Sequence, residues 1–122
     1  MLNLFFRKKE DKKTPERWIR PLNAQNFKSD ILARKGISLV EFYADWCMPC
    51  KIVEPVLEQI ALERNDIVVG KINIEKETAL TSAYGIISVP TLIVFKGGNV
   101  YKRIVGVRSK RDILAVLERK IL

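Results

Sequence analysis

The stretch Ile37-Ser38-Leu39-Val40-Glu41-Phe42-Tyr43-Ala44-Asp45-Trp46-Cys47-Met48-Pro49-Cys50-Lys51 decides the reading of this chain. Residues 37–44 form a nearly unbroken apolar run, the pattern of a strand covered on both faces, with Glu41 the odd member. From Cys47 to Arg64 the period changes. Ile52, Val53, Val56, Leu57, Ile60 and Ala61 recur at helical spacing, and Pro55 inside that pattern should kink the helix. Cys47 and Cys50 therefore stand where a buried strand hands over to the first turn of a helix.

That junction suits one chemistry. Thiol–disulfide exchange needs a thiolate, and a free thiol is mostly protonated at neutral pH. The unpaired amides and the macrodipole at a helix start favour a negative sulfur at Cys47. A two-residue spacer brings Cys50 within bonding distance, so it can attack a mixed disulfide and release the product. Pro49 falls in the first turn, where a missing N–H costs nothing. The competing reading is a pair of inert core cysteines.

Outward from this stretch, strand-like and helix-like segments alternate. Residues 17–22 read as a short edge strand that tolerates Pro21. Asn23 or Asn26 can cap a helix with Phe27, Ile31 and Leu32 inward, ending at Gly36. Strands are expected over 67–74, 91–95 and 99–105, the last two joined through Gly97-Gly98. A short helix over 78–84 stops at Gly85. A last one starts at Ser109, capped with Asp112, and turns Ile113, Leu114, Leu117 and Ile121 inward. The order predicts an α/β fold, a central mixed sheet with helices on both faces and a terminal antiparallel hairpin.

Composition narrows the chemistry further. At 122 residues the chain fits one domain with a core of its own, and it contains no histidine. That excludes Cys–His and Ser–His–Asp catalysis and every His-containing zinc site. Two cysteines cannot close a tetrahedral zinc site, so no metal is expected. Half of the +8 net charge lies in residues 1–20, and residues 1–16 read as a basic, flexible leader before a domain over 17–122. No stretch interleaves aromatics with clustered Arg and Lys, so no nucleic-acid partner is expected. No apolar run approaches the roughly 20 residues of a membrane helix, so no stable membrane insertion is expected either. The short patch Leu2, Leu4, Phe5 and Phe6 does not make a secretory signal.

Taken with its flanks, Trp46-Cys47-Met48-Pro49-Cys50-Lys51 resembles the thioredoxin family. Val40–Asp45, Lys71-Ile72-Asn73-Ile74, Tyr84-Gly85-Ile86, Val89-Pro90-Thr91-Leu92, Phe95-Lys96-Gly97-Gly98 and Val105-Gly106 match at the right mutual distances, from about Leu22 onward. The resemblance implies the thioredoxin fold. It makes Cys47 the exposed nucleophile, Cys50 the buried resolving thiol and Trp46 the exposed aromatic beside them. It makes Val89-Pro90 the cis-proline loop that pairs with substrate, and Gly106 a glycine lining the substrate groove. Glu41 would accept and return the Cys50 proton, its pKa raised by burial, with Lys71 on the neighbouring strand as its partner. A structural Glu41–Lys71 ion pair, or an edge position where Glu41 reaches water, is the alternative.

Three positions depart from the family's usual pattern. Met48 replaces a glycine and puts a flexible apolar side chain at the rim of the site. Glu41 stands where most thioredoxins carry Asp, one methylene shorter. Tyr43 stands where Trp is frequent. Pro49 matches the reductants, whereas histidine there would suggest an isomerase. The expected function is reduction of protein disulfides by a monomer in the cytoplasm, without a cofactor beyond the Cys47–Cys50 disulfide and with a thioredoxin reductase as electron donor. A binding or adaptor module of the same fold, or a disulfide oxidase or isomerase, is the alternative.

Overall fold

A computed structural model describes residues 18–118, so the basic leader and Ile121 lie outside the described residues. Among the described residues, five strands form one mixed sheet: β1 (Ile19–Pro21), β2 (Ile37–Tyr43), β3 (Val68–Asn73), β4 (Thr91–Lys96) and β5 (Asn99–Val105). Their spatial order is β1-β3-β2-β4-β5. β3 runs parallel to both β1 and β2, while β4 runs antiparallel to β2 and β5. Three α-helices, α1 (Met48–Glu63), α2 (Thr78–Ala83) and α3 (Lys110–Glu118), join a single π-helical turn over Lys28–Leu32. This is the thioredoxin fold, with the expected element order.

β2 is the central strand, and side-chain alternation sends its residues to two separate cores. Leu39 joins one core with Val53, Leu57 and Ile60 of α1, Leu92 and Val94 of β4, and Ile113 and Leu117 of α3. Val40 and Phe42 face the other way, onto Phe27, Ile31, Ile72, Ile93 and Phe95. On that second side Phe95 packs edge-on against both Phe27 and Tyr84, with ring centroids 5.8 and 5.6 Å apart. α1 and α3 are also tied at their ends, where Arg64 bonds Glu118 and Lys110 bonds Glu63, at 2.8 and 2.7 Å.

Several local expectations need correction. The first helical segment ends at Leu32, well before Gly36, because the Ala33 amide reaches back five residues to the Lys28 carbonyl. That wider turn carries Leu32 off the stripe of Phe27 and Ile31 and leaves it 39% exposed. The two asparagines act together at its start: Asn23 Oδ1 accepts from the Gln25 and Asn26 amides, and Asn26 Oδ1 accepts from the Asn23 amide. Ile52 is 60% exposed, since Val53, Leu57 and Ile60 already occupy the inward stripe of α1. α1 runs through Pro55 to Glu63, close to the expected end, with Pro55 on its exposed side.

The β4–β5 hairpin turns through Gly97 and Gly98 at φ +58° and +82°. At Gly98 a Cβ would run into the Leu32 carbonyl, whereas at Gly85 (φ +63°) it would meet open space. Gly85→Ala should therefore cost only the left-handed backbone penalty of about 1 kcal/mol, and Gly98→Ala at least twice as much. Equal shifts in urea midpoint for the two variants would show that the Leu32 contact is unimportant.

Candidate active site

The site is built where β2 runs out. After Tyr43 the chain turns through Ala44-Asp45-Trp46, and the Cys47 amide closes the turn by donating to the Ala44 carbonyl at 3.2 Å. Lys51 Nζ donates to the Asp45 carbonyl at 2.9 Å and braces the turn from the helix side. Cys47 is the cap residue of α1, with extended backbone, and its sulfur accepts the Cys50 amide at 3.1 Å. The two cysteines are joined as a disulfide, with Cα atoms 5.3 Å apart. Pro49 lies exposed in the first turn of α1, as its sequence position implied.

The exposure expected for Cys47 is not found. Cys47 is 2% exposed and Cys50 1%, both within a small cluster completed by Ala44 and flanked by Tyr43, Ile74 and Val89. The sequence neighbours of Cys47, Trp46 and Met48, are the exposed ones, each at 64%. Trp46 is held in place, because its Nε1 donates to Glu75 Oε2 at 2.8 Å. Glu75 is itself positioned by Asn73, whose Oδ1 accepts the Glu75 and Lys76 amides just after β3. Sequence reading missed Glu75; the Asn-x-Glu spacing after a strand was its only signal.

Opposite the disulfide, the Val89–Pro90 peptide bond is cis, and Val89 packs on the cysteine cluster. The Gly106 amide donates to the Pro90 carbonyl at 2.9 Å, and Gly106 adopts φ +87°. Thr91 Oγ1 donates to the Ser88 carbonyl at 2.8 Å, fixing the loop from its other side. Cys47, Cys50, Val89, Pro90 and Gly106 thus come together although they span some sixty residues of sequence.

Glu41, on the central strand β2, is fully buried, with neither carboxylate oxygen meeting a hydrogen-bond donor. The central place of β2 removes the edge-strand alternative. Lys71 is its register neighbour on β3 but forms no ion pair with it; the ammonium sits over the Tyr43 ring, 5.2 Å from the centroid. Burial pushes the Glu41 pKa from 4.5 up to about 8. The Glu54 carboxylate pushes the same way, and the positive charge of Lys71 opposes them without prevailing. Glu54, half-buried on α1 one turn beyond Cys50, was not foreseen. Its spacing of four from Cys50 was the available signal. Among the described residues, no cluster of His, Cys, Asp and Glu could hold a metal ion.

A disulfide at a helix N-terminus, a facing cis-proline loop and a buried carboxylic acid define a dithiol–disulfide exchange site. Comparison with known proteins agrees. The Thioredoxin family model matches residues 19–119. Thioredoxin of Chlamydia caviae is 38% identical over 101 residues, covering 83% of this chain and 97% of the relative. Thioredoxin of Buchnera aphidicola from Acyrthosiphon pisum is 42% identical over 101 residues, covering 82% and 94%. A bifunctional thioredoxin reductase/thioredoxin of Mycobacterium leprae is 42% identical over 90 residues, covering 73% of this chain and 20% of the relative. The chain belongs to the thioredoxin family. It is a thiol–disulfide oxidoreductase of the protein-disulfide reductase type.

The raised Glu41 pKa has a consequence for stability. Unfolded, Glu41 ionises near 4.5; folded, it keeps its proton until about 8. Between those values the folded chain holds a proton that the unfolded chain has lost, so stability falls as pH rises. Glu41→Leu should flatten that slope and make the oxidised protein more stable at pH 8, by on the order of 4 kcal/mol. Denaturant unfolding from pH 5 to pH 8.5 checks this, and an unchanged slope in the variant would contradict it.

Proposed function

We propose that Cys47 is the attacking thiolate and Cys50 the resolving thiol in the reduction of protein disulfides. The observation that carries this assignment is the Cys50 amide aimed at the Cys47 sulfur at the start of α1. That donor and the helix dipole stabilise a negative charge on Cys47 once the pair is reduced. Cys50, deeper in the same turn, then attacks the Cys47 sulfur of the mixed disulfide. The substrate thiolate leaves and the Cys47–Cys50 bond is restored. Glu41 accepts the Cys50 proton in that second step and returns it on re-reduction. Lys71 acts on Glu41 through its charge alone.

The substrate strand lies along Val89-Pro90 and Gly106, with Trp46, Met48 and Pro49 shaping the rim. Electrons come from a thioredoxin reductase, an assignment supported by the two names joined in the Mycobacterium leprae relative. The cycle uses no cofactor beyond the cysteine pair, and one chain supplies every residue it needs, so the protein works as a monomer. A reductant belongs where stable disulfides are rare, which favours the cytoplasm. No described helix is long and apolar enough to cross a membrane.

Two measurements test this reading. Cys50→Ser should trap a mixed disulfide through Cys47, whereas Cys47→Ser should trap none and lose turnover; trapping by the second variant instead would reverse the roles. Equilibration of the pair against a dithiothreitol or glutathione buffer should give a reduction potential near the thioredoxin value of about −270 mV. A value of about −180 to −120 mV would assign the protein to the disulfide oxidants or isomerases.

A further inference from the structure

The mechanism leaves the half-buried carboxylate of Glu54 without a task. We propose that Glu54 is a positioning residue for proton transfer: it faces Glu41 across the α1–β2 interface and passes a proton between Glu41 and solvent. The inference deepens the proposed function, since it rests on Glu41 serving Cys50.

Side-chain alternation puts Glu41 on the same face of β2 as Leu39, and α1 covers that face. Leu92, the residue opposite Glu41 on β4, belongs to the same core as Val53 and Leu57 of α1. Along α1, Cys50, Val53 and Leu57 are fully buried, while Lys51, Ile52 and Pro55 are exposed. Glu54 lies at the boundary between these sets, beside Val53 and one turn beyond Cys50. Its carboxylate can therefore reach both the interior and water.

Glu41 supplies an independent observation. It is fully buried, and neither of its oxygens meets a donor. A carboxylate so placed holds a charge only at high cost, so it must gain and lose protons during the cycle through some neighbour. β4 offers none, since Leu92 stands opposite. β3 offers Lys71, whose ammonium is drawn over the Tyr43 ring on Glu41's own strand. α1 offers Cys50, the group being deprotonated, and Glu54. Only Glu54 combines a carboxyl group with partial access to solvent. Its charge also helps to hold the Glu41 pKa up, as expected for two carboxyls that cannot both ionise cheaply.

The step balances. The Cys50 thiol gives its proton to the Glu41 carboxylate, and the Cys50 thiolate forms the bond to Cys47 sulfur as the Cys47–substrate bond breaks. Glu41 then holds that proton, exchanging it with water by way of the Glu54 carboxylate, until re-reduction returns a proton to Cys50; the departing substrate thiolate takes a proton from solvent.

The test uses the full oxidised chain, in which no thiol titrates, and follows the Glu41 side-chain carboxyl carbon by NMR from pH 4 to pH 10. Glu54→Gln should lower the Glu41 midpoint by about one pH unit. Glu54→Lys should lower it further, and Glu54→Ala provides a folded helical variant if either fails. Turnover of insulin with dithiothreitol should show the same downward movement of its pH profile. A Glu41 midpoint unchanged in all folded variants would overturn the role of Glu54 and leave that of Glu41 standing. A Glu41→Gln protein with the parent's turnover profile would remove both residues from the cycle.

Discussion

The hydrogen bond from the Cys50 amide to the Cys47 sulfur is the contact on which the rest of the arrangement depends. It exists because Cys47 is a helix cap, and Cys47 is a cap because β2 ends at Tyr43 and cannot turn directly into a helix. The intervening Ala44-Asp45-Trp46 turn is closed by the Cys47 amide and braced by Lys51. A sulfur in that place takes over the work that an oxygen side chain does at most helix starts. The same donor that caps the helix also lowers the cost of a negative sulfur. Structural and chemical demands coincide at one atom.

That atom must be held still, and two scaffolds do so. The central position of β2 gives it a neighbour on either side, β3 parallel and β4 antiparallel, and a core against each face. The antiparallel pairing of β4 with β2 starts at Thr91, immediately after the cis Val89–Pro90 bond. The loop that faces the disulfide is therefore anchored on the strand next to the one that presents it. Gly106 closes the arrangement from β5 by donating to the Pro90 carbonyl. Trp46 is tied separately, through Glu75 and Asn73, to the end of β3.

Much of this was legible in the sequence, for identifiable reasons. The strand-to-helix change of period around Cys47 is local, and so are the glycine stops at Gly85 and Gly97-Gly98 and the Ser109 cap, whose hydroxyl accepts the Asp112 amide. Apolar periodicity located the strands and helices because burial dominates their formation. What it could not supply was anything set by packing between distant segments. The burial of Cys47 depends on Ile74 and Val89, remote in sequence. Lys71 was matched to Glu41 by charge, yet the ring of Tyr43 claims its ammonium. The π turn rotated Leu32 outward although its residue type argued for the core. Glu54 had no signal in the sequence beyond its spacing of four from Cys50.

Glu41 gains its meaning from that same packing. A carboxylic acid in the central strand weakens the fold whenever it ionises, because neither oxygen is given a donor and Lys71 is held elsewhere. An apolar residue of similar size would fill the space at no such cost. The position suits the proposed role, in which the group stays neutral for most of the cycle and carries charge only briefly. An ion pair in direct contact would have locked Glu41 in its charged form and lowered its affinity for a proton. A lysine one strand away leaves the charged form reachable without making it the resting state. In the proposed role of Glu41, the absence of a contact ion pair is what suits this carboxyl to exchange protons near neutral pH.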